Sequence, residues 1–129
     1  MKMVGYDLDG TLCEENNNIV NKIMFKLLPN RWAKFKHSKA KLSFLGRFVR
    51  DMDEKIIIIT GRPIQDKEYT LKWLDKVGIK ADVYFSPHYD QALKHKLDMI
   101  SKLNITKFYE NDEKQVLEIE KIIPCMYVR

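Results

Sequence analysis

The run IIIIT at residues 56–60 limits the possible folds of this chain more than any other feature. Isoleucine favours extended backbone, and a continuous apolar run puts side chains on both faces of a strand, so both faces must be covered. Gly61 stops the run, and Pro63 keeps Arg62 out of the helical region. We therefore predict a parallel strand at 56–60 that is buried on both faces and followed directly by polar residues.

Strand and helix patterns alternate on both sides of this run. Short apolar segments predict further strands at 2–8, 81–85, 105–110 and 125–128. Apolar residues at helical spacing predict helices at 66–77, 90–103 and 113–122. Gly78 is placed to end the first of these helices. The alternation is typical of an α/β protein with a doubly wound, Rossmann-like parallel sheet of about five strands, for which we expect the order 3-2-1-4-5.

Length and composition favour one domain over residues 1–129. The chain has 129 residues, of which 45% are apolar, enough for a hydrophobic core. Neither a basic-then-apolar leader nor an apolar run of membrane-spanning length occurs in the sequence, so we expect a cytoplasmic protein. Cys13 and Cys125 have neither metal-ligand spacing nor a disulfide framework, so we expect ordinary reduced thiols.

Positive charge is concentrated in residues 19–50, which carry nine Lys or Arg and no Asp or Glu. This stretch belongs to a segment at 13–53 that we call the basic insert, and its charge suggests an anionic partner. Amphipathic patterns predict helices at 19–28 and 39–52. Trp32 and Phe35, interleaved with cations, could stack on nucleic-acid bases. A solvated helical hairpin packed on the core, or contact with a membrane surface, would also explain the pattern.

Two carboxylates follow the first predicted strand, in the stretch DLDGTL. Asp7 and Asp9 are two residues apart, so strand alternation points both the same way, and they could share a hard cation such as Mg²⁺. Gly10 permits a tight backbone path directly after them. The alternative is a pair of turn-forming acids, which would need no complementary groups at other strand ends.

Complementary polar groups follow the other strands that we expect beside the first. The Thr-Gly-Arg sequence at 60–62 supplies a hydroxyl and backbone N–H groups suited to phosphoryl oxygens. The sequence ENDE at 110–113 supplies further carboxylates, and Lys94 or Lys96 could neutralise phosphoryl charge. Ligands of such sheets bind beyond the carboxyl ends of the strands, where the strand order reverses. We therefore expect these groups in one crevice.

In their order and spacing, these segments resemble the four motifs of the haloacid dehalogenase (HAD) superfamily of phosphohydrolases. DLDGTL matches the first motif, ITGR the second, the KLDM opening at Lys96 the third and YEND the fourth. The resemblance covers residues 1–12 and 54–129. It implies a Mg²⁺-dependent phosphomonoester hydrolase with an HAD-like domain, in which the basic insert is too short to form a full cap domain.

The resemblance also implies a role for each matching residue. Asp7 would attack phosphorus to give an aspartyl-phosphate, and Asp9 would protonate the leaving oxygen and then activate water. Lys96 would stabilise the nucleophile and the charge of the transition state. Asp7, the backbone carbonyl of Asp9 and Asp112 would hold Mg²⁺. Thr60, Gly10 and Thr11 would bind phosphoryl oxygens. From the residues alone, the backbone N–H of Gly61 suits a phosphoryl oxygen, and Arg62 could reach a substrate phosphate or be a surface arginine.

The fourth motif departs from the family pattern, because Asn111 stands where the family has the first of two acidic residues. Asn111 could still accept a hydrogen bond from metal-bound water, so that Asp112 alone would suffice as the carboxylate. Glu110 or Glu113 could instead fill the role.

After the second motif, the sequence TLKWL at 70–74 is similar to the phosphatase domain of polynucleotide kinase-phosphatases. With an open site, this similarity implies a nucleic-acid end phosphate as substrate, with nucleotides, sugar phosphates or a phosphoprotein as alternatives. Two further functions stay open: a catalytically weak module that binds nucleic acid through residues 19–50, and an assembly partner whose apolar hairpin face is an oligomer interface. We expect a monomer or a small homo-oligomer.

Overall fold

One sheet contains the five strands of the described residues, which are 2–15, 19–29, 31, 34, 36 and 39–129 of this computed structural model. The strands are β1 (Val4–Tyr6), β2 (Ile56–Pro63), β3 (Ala81–Ser86), β4 (Lys107–Glu110) and β5 (Cys125–Tyr127). Their order is β3-β2-β1-β4-β5, and each pairing is parallel. The predicted fold class and strand order are therefore confirmed.

The helices whose bounds the structure gives are α1 (Ile19–Leu27), α2 (Phe44–Asp51), α3 (Lys67–Val77), α4 (Ala92–Lys102) and α5 (Glu113–Ile119). Residues of α2 and α3 pack on one face of the sheet, and residues of α4 and α5 pack on the other. Gly78 ends α3 in the left-handed conformation, with φ of 84°, as the sequence predicted. Within the part of the chain that the structure describes, no helix is long and apolar enough to cross a membrane.

Ile58 and Ile59 are neighbours in β2 and pack into different halves of the core. Ile58 belongs to a cluster that includes Trp73 of α3, whereas Ile59 belongs to a cluster that includes Ile100 of α4 and Phe108 of β4. Both isoleucines are fully buried. The IIIIT run therefore forms a strand covered on both faces, as its composition predicted.

The second helix of the basic insert begins later than predicted. The predicted helix at 39–52 is wrong for its first turn, because α2 starts at Phe44 and Ser43 caps it. The Ser43 Oγ accepts a hydrogen bond from the Gly46 N–H at 2.9 Å, which satisfies a donor of the first turn. Leu42, inside the predicted helix, instead forms a β-bridge with Cys13. The amphipathic spacing of apolar residues therefore begins before the helix does.

The start of α2 is attached to the loop that follows β1. The Ser43 N–H donates to the Leu12 carbonyl at 2.9 Å, and the Ser43 Oγ donates to the Thr11 carbonyl. A Cβ at Gly46 would overlap the Leu12 carbonyl oxygen, so glycine permits this close approach. The basic insert is therefore packed directly against the loop that carries the two predicted site carboxylates.

Cys13 and Cys125 are buried free cysteines, as predicted. Burial, the largest cause, raises the pKa of both thiols. They are therefore protonated at neutral pH and suited to packing.

Candidate active site

Asp7 lies directly after β1, at the carboxyl edge of the sheet. Its backbone N–H donates to the Tyr109 carbonyl at 2.9 Å, so the sheet fixes its position. Its side chain is buried, and the Thr11 Oγ1 donates to Asp7 Oδ2 at 3.0 Å. The loop after β1 thus both carries this carboxylate and orients it.

Gly10 gives this loop its sharp turn. Its φ of 78° lies in the left-handed region, which favours glycine. A Cβ at Gly10 would also overlap the amide of Asn111, which follows β4. Glycine therefore allows the loop after β1 to approach the residues after β4, and the predicted tight path is confirmed.

Lys96 of α4 is the cationic centre of the site. Its Nζ donates to Asp7 Oδ1 at 3.0 Å, Glu110 Oε1 at 2.6 Å and Gln115 Oε1 at 2.7 Å, three acceptors for three hydrogens. Burial lowers the pKa of Lys96, but the carboxylates of Asp7 and Glu110 outweigh this and raise it above its ordinary value. Lys94, the alternative from the sequence, is exposed. Lys96 is therefore the lysine that contacts Asp7.

Arg62, at the end of β2, forms a bidentate ion pair with Asp9. The Nη2 and Nε atoms donate to the two Asp9 carboxylate oxygens at 2.6 and 2.9 Å, and Nη1 donates to Thr70 Oγ1 at 2.9 Å. The Arg62 side chain is 3% exposed, whereas that of Asp9 is 27% exposed, so the carboxylate covers the guanidinium. Burial lowers the pKa of Arg62, but Asp9 outweighs this and raises it. The geometry makes Arg62 a support for Asp9, and its predicted contact with substrate stays a prediction.

Thr60 and Gly61 lie in the last part of β2, where its pairing with β3 shifts register. Thr60 is buried, and its Oγ1 accepts a hydrogen bond from the Arg62 N–H at 3.1 Å. A Cβ at Gly61 would collide with Ala92 at the start of α4, so glycine lets the helix that carries Lys96 approach the sheet. The predicted bonds of Thr60 and Gly61 to phosphoryl oxygens stay predictions.

Glu110 ends β4 and is fully buried. Its Oε1 accepts from Lys96, and its Oε2 accepts from the N–H groups of Asn111 at 3.0 Å and Asp112 at 3.2 Å. Burial and then the nearby Asp7 carboxylate raise the pKa of Glu110. Glu110 therefore fixes the backbone of the fourth motif while it anchors Lys96.

Oxygen atoms from the ends of β1 and β4 converge on the Asn111 side chain. In the amide orientation that satisfies its hydrogen bonds, Asn111 Nδ2 donates to Asp7 Oδ2 at 2.9 Å, the Asp9 carbonyl at 2.8 Å and Glu110 Oε2 at 3.2 Å. In the opposite orientation Oδ1 takes this place. Three oxygens thus lie within 3.2 Å of one Asn111 side-chain atom, and oxygens are the ligands that hard cations take.

A cation at this position would need mixed ligands. Among the residues that the structure describes, no three His, Cys, Asp or Glu side chains form a metal cluster by themselves. The Asp9 carbonyl and the Asn111 amide would have to complete the set. Asp112 lines the same cleft while its Oδ1 caps α5, accepting from the Lys114 N–H at 2.9 Å. Carboxylate, carbonyl and amide oxygens are ligands that Mg²⁺ accepts.

These residues surround one cleft of about 330 Å³, which we call the central cleft. It is lined by six of the predicted site residues: Asp7, Asp9, Gly61, Arg62, Lys96 and Asp112. Thr11 and Thr60 are buried, and Gly10 lines a neighbouring cavity. Five acidic and three basic side chains line the central cleft, so its formal charge is negative.

The basic insert contributes Glu15, Phe25 and Lys36 to the central cleft. The Lys36 Nζ lies 5.2 Å from the centroid of the Phe25 ring, within the range of a cation–π contact. A cation of the insert thus stands at the edge of the acidic cluster. Trp32 and Phe35 lie outside the described residues, so their predicted stacking on bases stays a prediction.

Solved structures match almost the whole chain in fold. The chain has the same fold as part of a chain from an RNA repair complex. A chain of the Pnkp1/Rnl/Hen1 RNA repair complex matches 98% of this chain, with a TM-score of 0.68 and 19% identity. A chain from another structure of a Pnkp1/Rnl/Hen1 complex also matches 98%, with a TM-score of 0.70 and 20% identity. At these identities the likeness establishes the fold alone.

This chain spans 42% and 45% of the lengths of those two chains. The sequence matches no known family profile and no curated protein. The likeness is therefore carried by the three-dimensional arrangement and not by overall sequence.

Sequence reasoning missed supporting residues of the site, of which Thr70 and Gln115 are the clearest. Thr70 stands three residues before Trp73, so helical spacing puts the two on the same face of α3, which is buried in the structure. A polar residue on an apolar helix face is the sequence signal that could have marked it. Gln115 stands three residues after the N-cap Asp112, the position of a capping box. In the structure it turns to Lys96.

Proposed function

We propose that this chain is a Mg²⁺-dependent phosphomonoester hydrolase of the HAD type that acts through an aspartyl-phosphate. One observation carries the proposal: two carboxylates face one cleft with different partners. Asp7 accepts hydrogen bonds from Lys96 and Thr11, whereas Asp9 accepts two from Arg62. Distinct environments suit the two carboxylates to distinct tasks, attack and proton transfer.

In the first step, a carboxylate oxygen of Asp7 bonds to phosphorus while the bond from phosphorus to the leaving oxygen breaks. Asp9 gives its proton to that oxygen, and the product leaves as an alcohol. In the second step, Asp9 takes a proton from water, the water oxygen bonds to phosphorus, and the bond between Asp7 and phosphorus breaks. Inorganic phosphate is released and both carboxyl groups return to their starting forms.

Arg62 acts in this scheme as a positioning residue for Asp9. The bidentate bond fixes the plane and the position of the Asp9 carboxylate. Thr70 in turn fixes the guanidinium.

Mg²⁺ would offset the repulsion between an anionic nucleophile and an anionic substrate. Asp7, the Asp9 carbonyl and Asp112 would hold it, with Asn111 turned so that Oδ1 faces the ion. The charge of the cleft supports this assignment, because five acidic side chains against three basic ones would otherwise repel a phosphate ester.

The substrate that we propose is a phosphate at the end of a nucleic acid or on a nucleotide. The similar solved chains belong to a complex described as an RNA repair complex, and the basic insert supplies Phe25 and Lys36 to the cleft. We further propose that residues 1–129 form a single HAD-like domain, in which the basic insert at 13–53 stands where a cap domain would.

Beryllofluoride, which adds to aspartate as an analogue of aspartyl-phosphate, tests this proposal without a known substrate. With Mg²⁺ present, the wild type is expected to give a bound ¹⁹F resonance that Asp7→Asn lacks. Asp75→Asn removes an exposed carboxylate on α3 and should behave like the wild type. A bound resonance that survives in Asp7→Asn would overturn the assignment of Asp7 as nucleophile.

Arg62→Lys is expected to lower kcat by about 10- to 100-fold with little change in KM, because lysine keeps the charge but not the bidentate geometry. Thr70→Val removes only the support of Arg62 and should have a smaller effect in the same direction. Steady-state kinetics on any hydrolysed phosphate ester measure both. A rise in KM at unchanged kcat would instead mean that Arg62 binds substrate directly.

Asn111→Asp is expected to tighten Mg²⁺ binding by about tenfold or more, because a carboxylate replaces a neutral amide beside Asp7 and Glu110. The same change should destabilise the metal-free protein, so Mg²⁺ should raise the Tm of the variant more than that of the wild type. Calorimetric titration and thermal unfolding measure the two effects. Asn104→Asp adds the same charge at a turn far from the cleft and should change neither. Unaltered Mg²⁺ affinity in Asn111→Asp would remove Asn111 from the metal site.

A further inference from the structure

A second cavity of about 510 Å³ adjoins the central cleft, and we call it the flanking groove. Glu15 and Asn111 line both cavities, so the two adjoin beside the loop that follows β1. The groove extends from there to the ends of α2 and β5, where Phe44, Tyr127 and Arg129 line it. A substrate with its phosphoryl group at Asp7 can therefore extend into this groove.

Two aromatic rings in the flanking groove are unusually accessible. Phe44, the first residue of α2, is 82% exposed, and Tyr127, the last residue of β5, is 44% exposed. The Arg129 guanidinium lies over the Tyr127 ring, 5.6 Å from its centroid. Exposed rings with an adjacent cation are the elements that bind single-stranded nucleic acids, where rings stack on bases and cations meet phosphates.

The polar residues of the flanking groove discriminate between possible occupants. Glu15 lines both cavities, and Glu14 lines the groove. These carboxylate acceptors suit the amino groups of a base or the hydroxyls of a sugar and disfavour a second phosphate beside them. Arg129, which lies over the Tyr127 ring, suits the next phosphate along a strand.

We propose that the flanking groove binds the terminal nucleotide of a single-stranded nucleic acid, with its base stacked on Phe44 or Tyr127 and its phosphate at Asp7. This inference rests on the proposed phosphatase function, which it deepens by naming how the substrate is held. It assigns substrate recognition to α2 of the basic insert and to β5.

Kinetics with two substrates test the groove. Single-stranded DNA and RNA oligonucleotides, with a 3′- or 5′-phosphate beside a terminal 2-aminopurine, are compared with glycerol phosphate. Phe44→Ala and Tyr127→Ala are each expected to raise KM for the preferred oligonucleotide by about 5- to 100-fold, the effect of losing one base–aromatic stack, and to raise it far more than KM for glycerol phosphate. Phe48→Ala and Met126→Ala remove exposed side chains of the same two elements outside the groove, and should leave both KM values at wild-type level.

Fluorescence gives a readout that is independent of turnover. Asp7→Asn should quench 2-aminopurine on binding the oligonucleotide, and adding Phe44→Ala or Tyr127→Ala should remove the quenching. If the wild type hydrolyses both substrates and neither aromatic variant changes KM or quenching, the assignment of the flanking groove as a base-binding site is wrong and the phosphatase function stands. If the wild type hydrolyses nothing but quenching depends on Phe44 or Tyr127, the base site stands and the phosphatase function is wrong.

Discussion

An Asp7→Asn variant is expected to lose phosphate-ester hydrolysis by about 10⁴-fold or more, because an amide oxygen cannot form the covalent intermediate that the proposed mechanism requires. The loss should appear in kcat for every substrate that the wild type hydrolyses. Rapid measurement of released phosphate detects residual rates of this size.

The fold of Asp7→Asn should survive the change. The amide keeps the shape of the carboxylate and can still accept the hydrogen bond from Lys96, and it removes one of two negative charges that face each other across that lysine. We therefore expect a free energy of unfolding at or above that of the wild type, measured by urea denaturation. Asp75→Asn is the matched control for charge and should keep wild-type activity. Hydrolysis by Asp7→Asn at a rate near that of the wild type would exclude Asp7 as the nucleophile.

Lys96→Met is expected to have the second large effect, a loss of about 3–5 kcal/mol in the free energy of unfolding at neutral pH together with loss of activity. The variant leaves the carboxylates of Asp7 and Glu110, whose side chains are 6% and 1% exposed, without their cation. Denaturant titration with circular dichroism measures the loss.

The deficit of Lys96→Met should shrink as the pH falls. Burial raises the folded-state pKa of Glu110 above its unfolded value, and the loss of the lysine removes a charge that opposes this rise, so protonation favours the folded state. Lys94→Met is the matched control, since this lysine lies exposed on the same helix. Full activity in Lys96→Met, or its loss in Lys94→Met, would contradict the assignment of Lys96.

The sheet could be predicted from the sequence because its strands have strong local signals. The IIIIT run needs cover on both faces, and the alternation of strands and helices leaves few topologies. The start of α2 could not be predicted, because Leu42 fits a helical apolar face as well as it fits the β-bridge to Cys13. The tertiary contact between Leu42 and Cys13 places Leu42 outside the helix.

In the site, residue types were predictable and their pairing was not. Asp7 and Asp9 stand out by their spacing, but that Arg62 reaches Asp9 depends on residues 53 positions apart in sequence. Lys94 and Lys96 are two residues apart and so lie on opposite sides of α4, and the packing of α4 against the sheet decides which side faces Asp7. Thr70 supports the pair from α3 through a contact that local pattern does not encode.

The proposed Mg²⁺-dependent hydrolysis is tested by phosphate release from 3′- and 5′-phosphorylated oligonucleotides, nucleotides and glycerol phosphate, measured for wild type and Asp7→Asn with and without Mg²⁺. We expect the wild type to release phosphate only in the presence of Mg²⁺, and Asp7→Asn to release almost none under either condition. Absence of Mg²⁺-dependent release from every phosphate ester by the wild type would contradict the proposal.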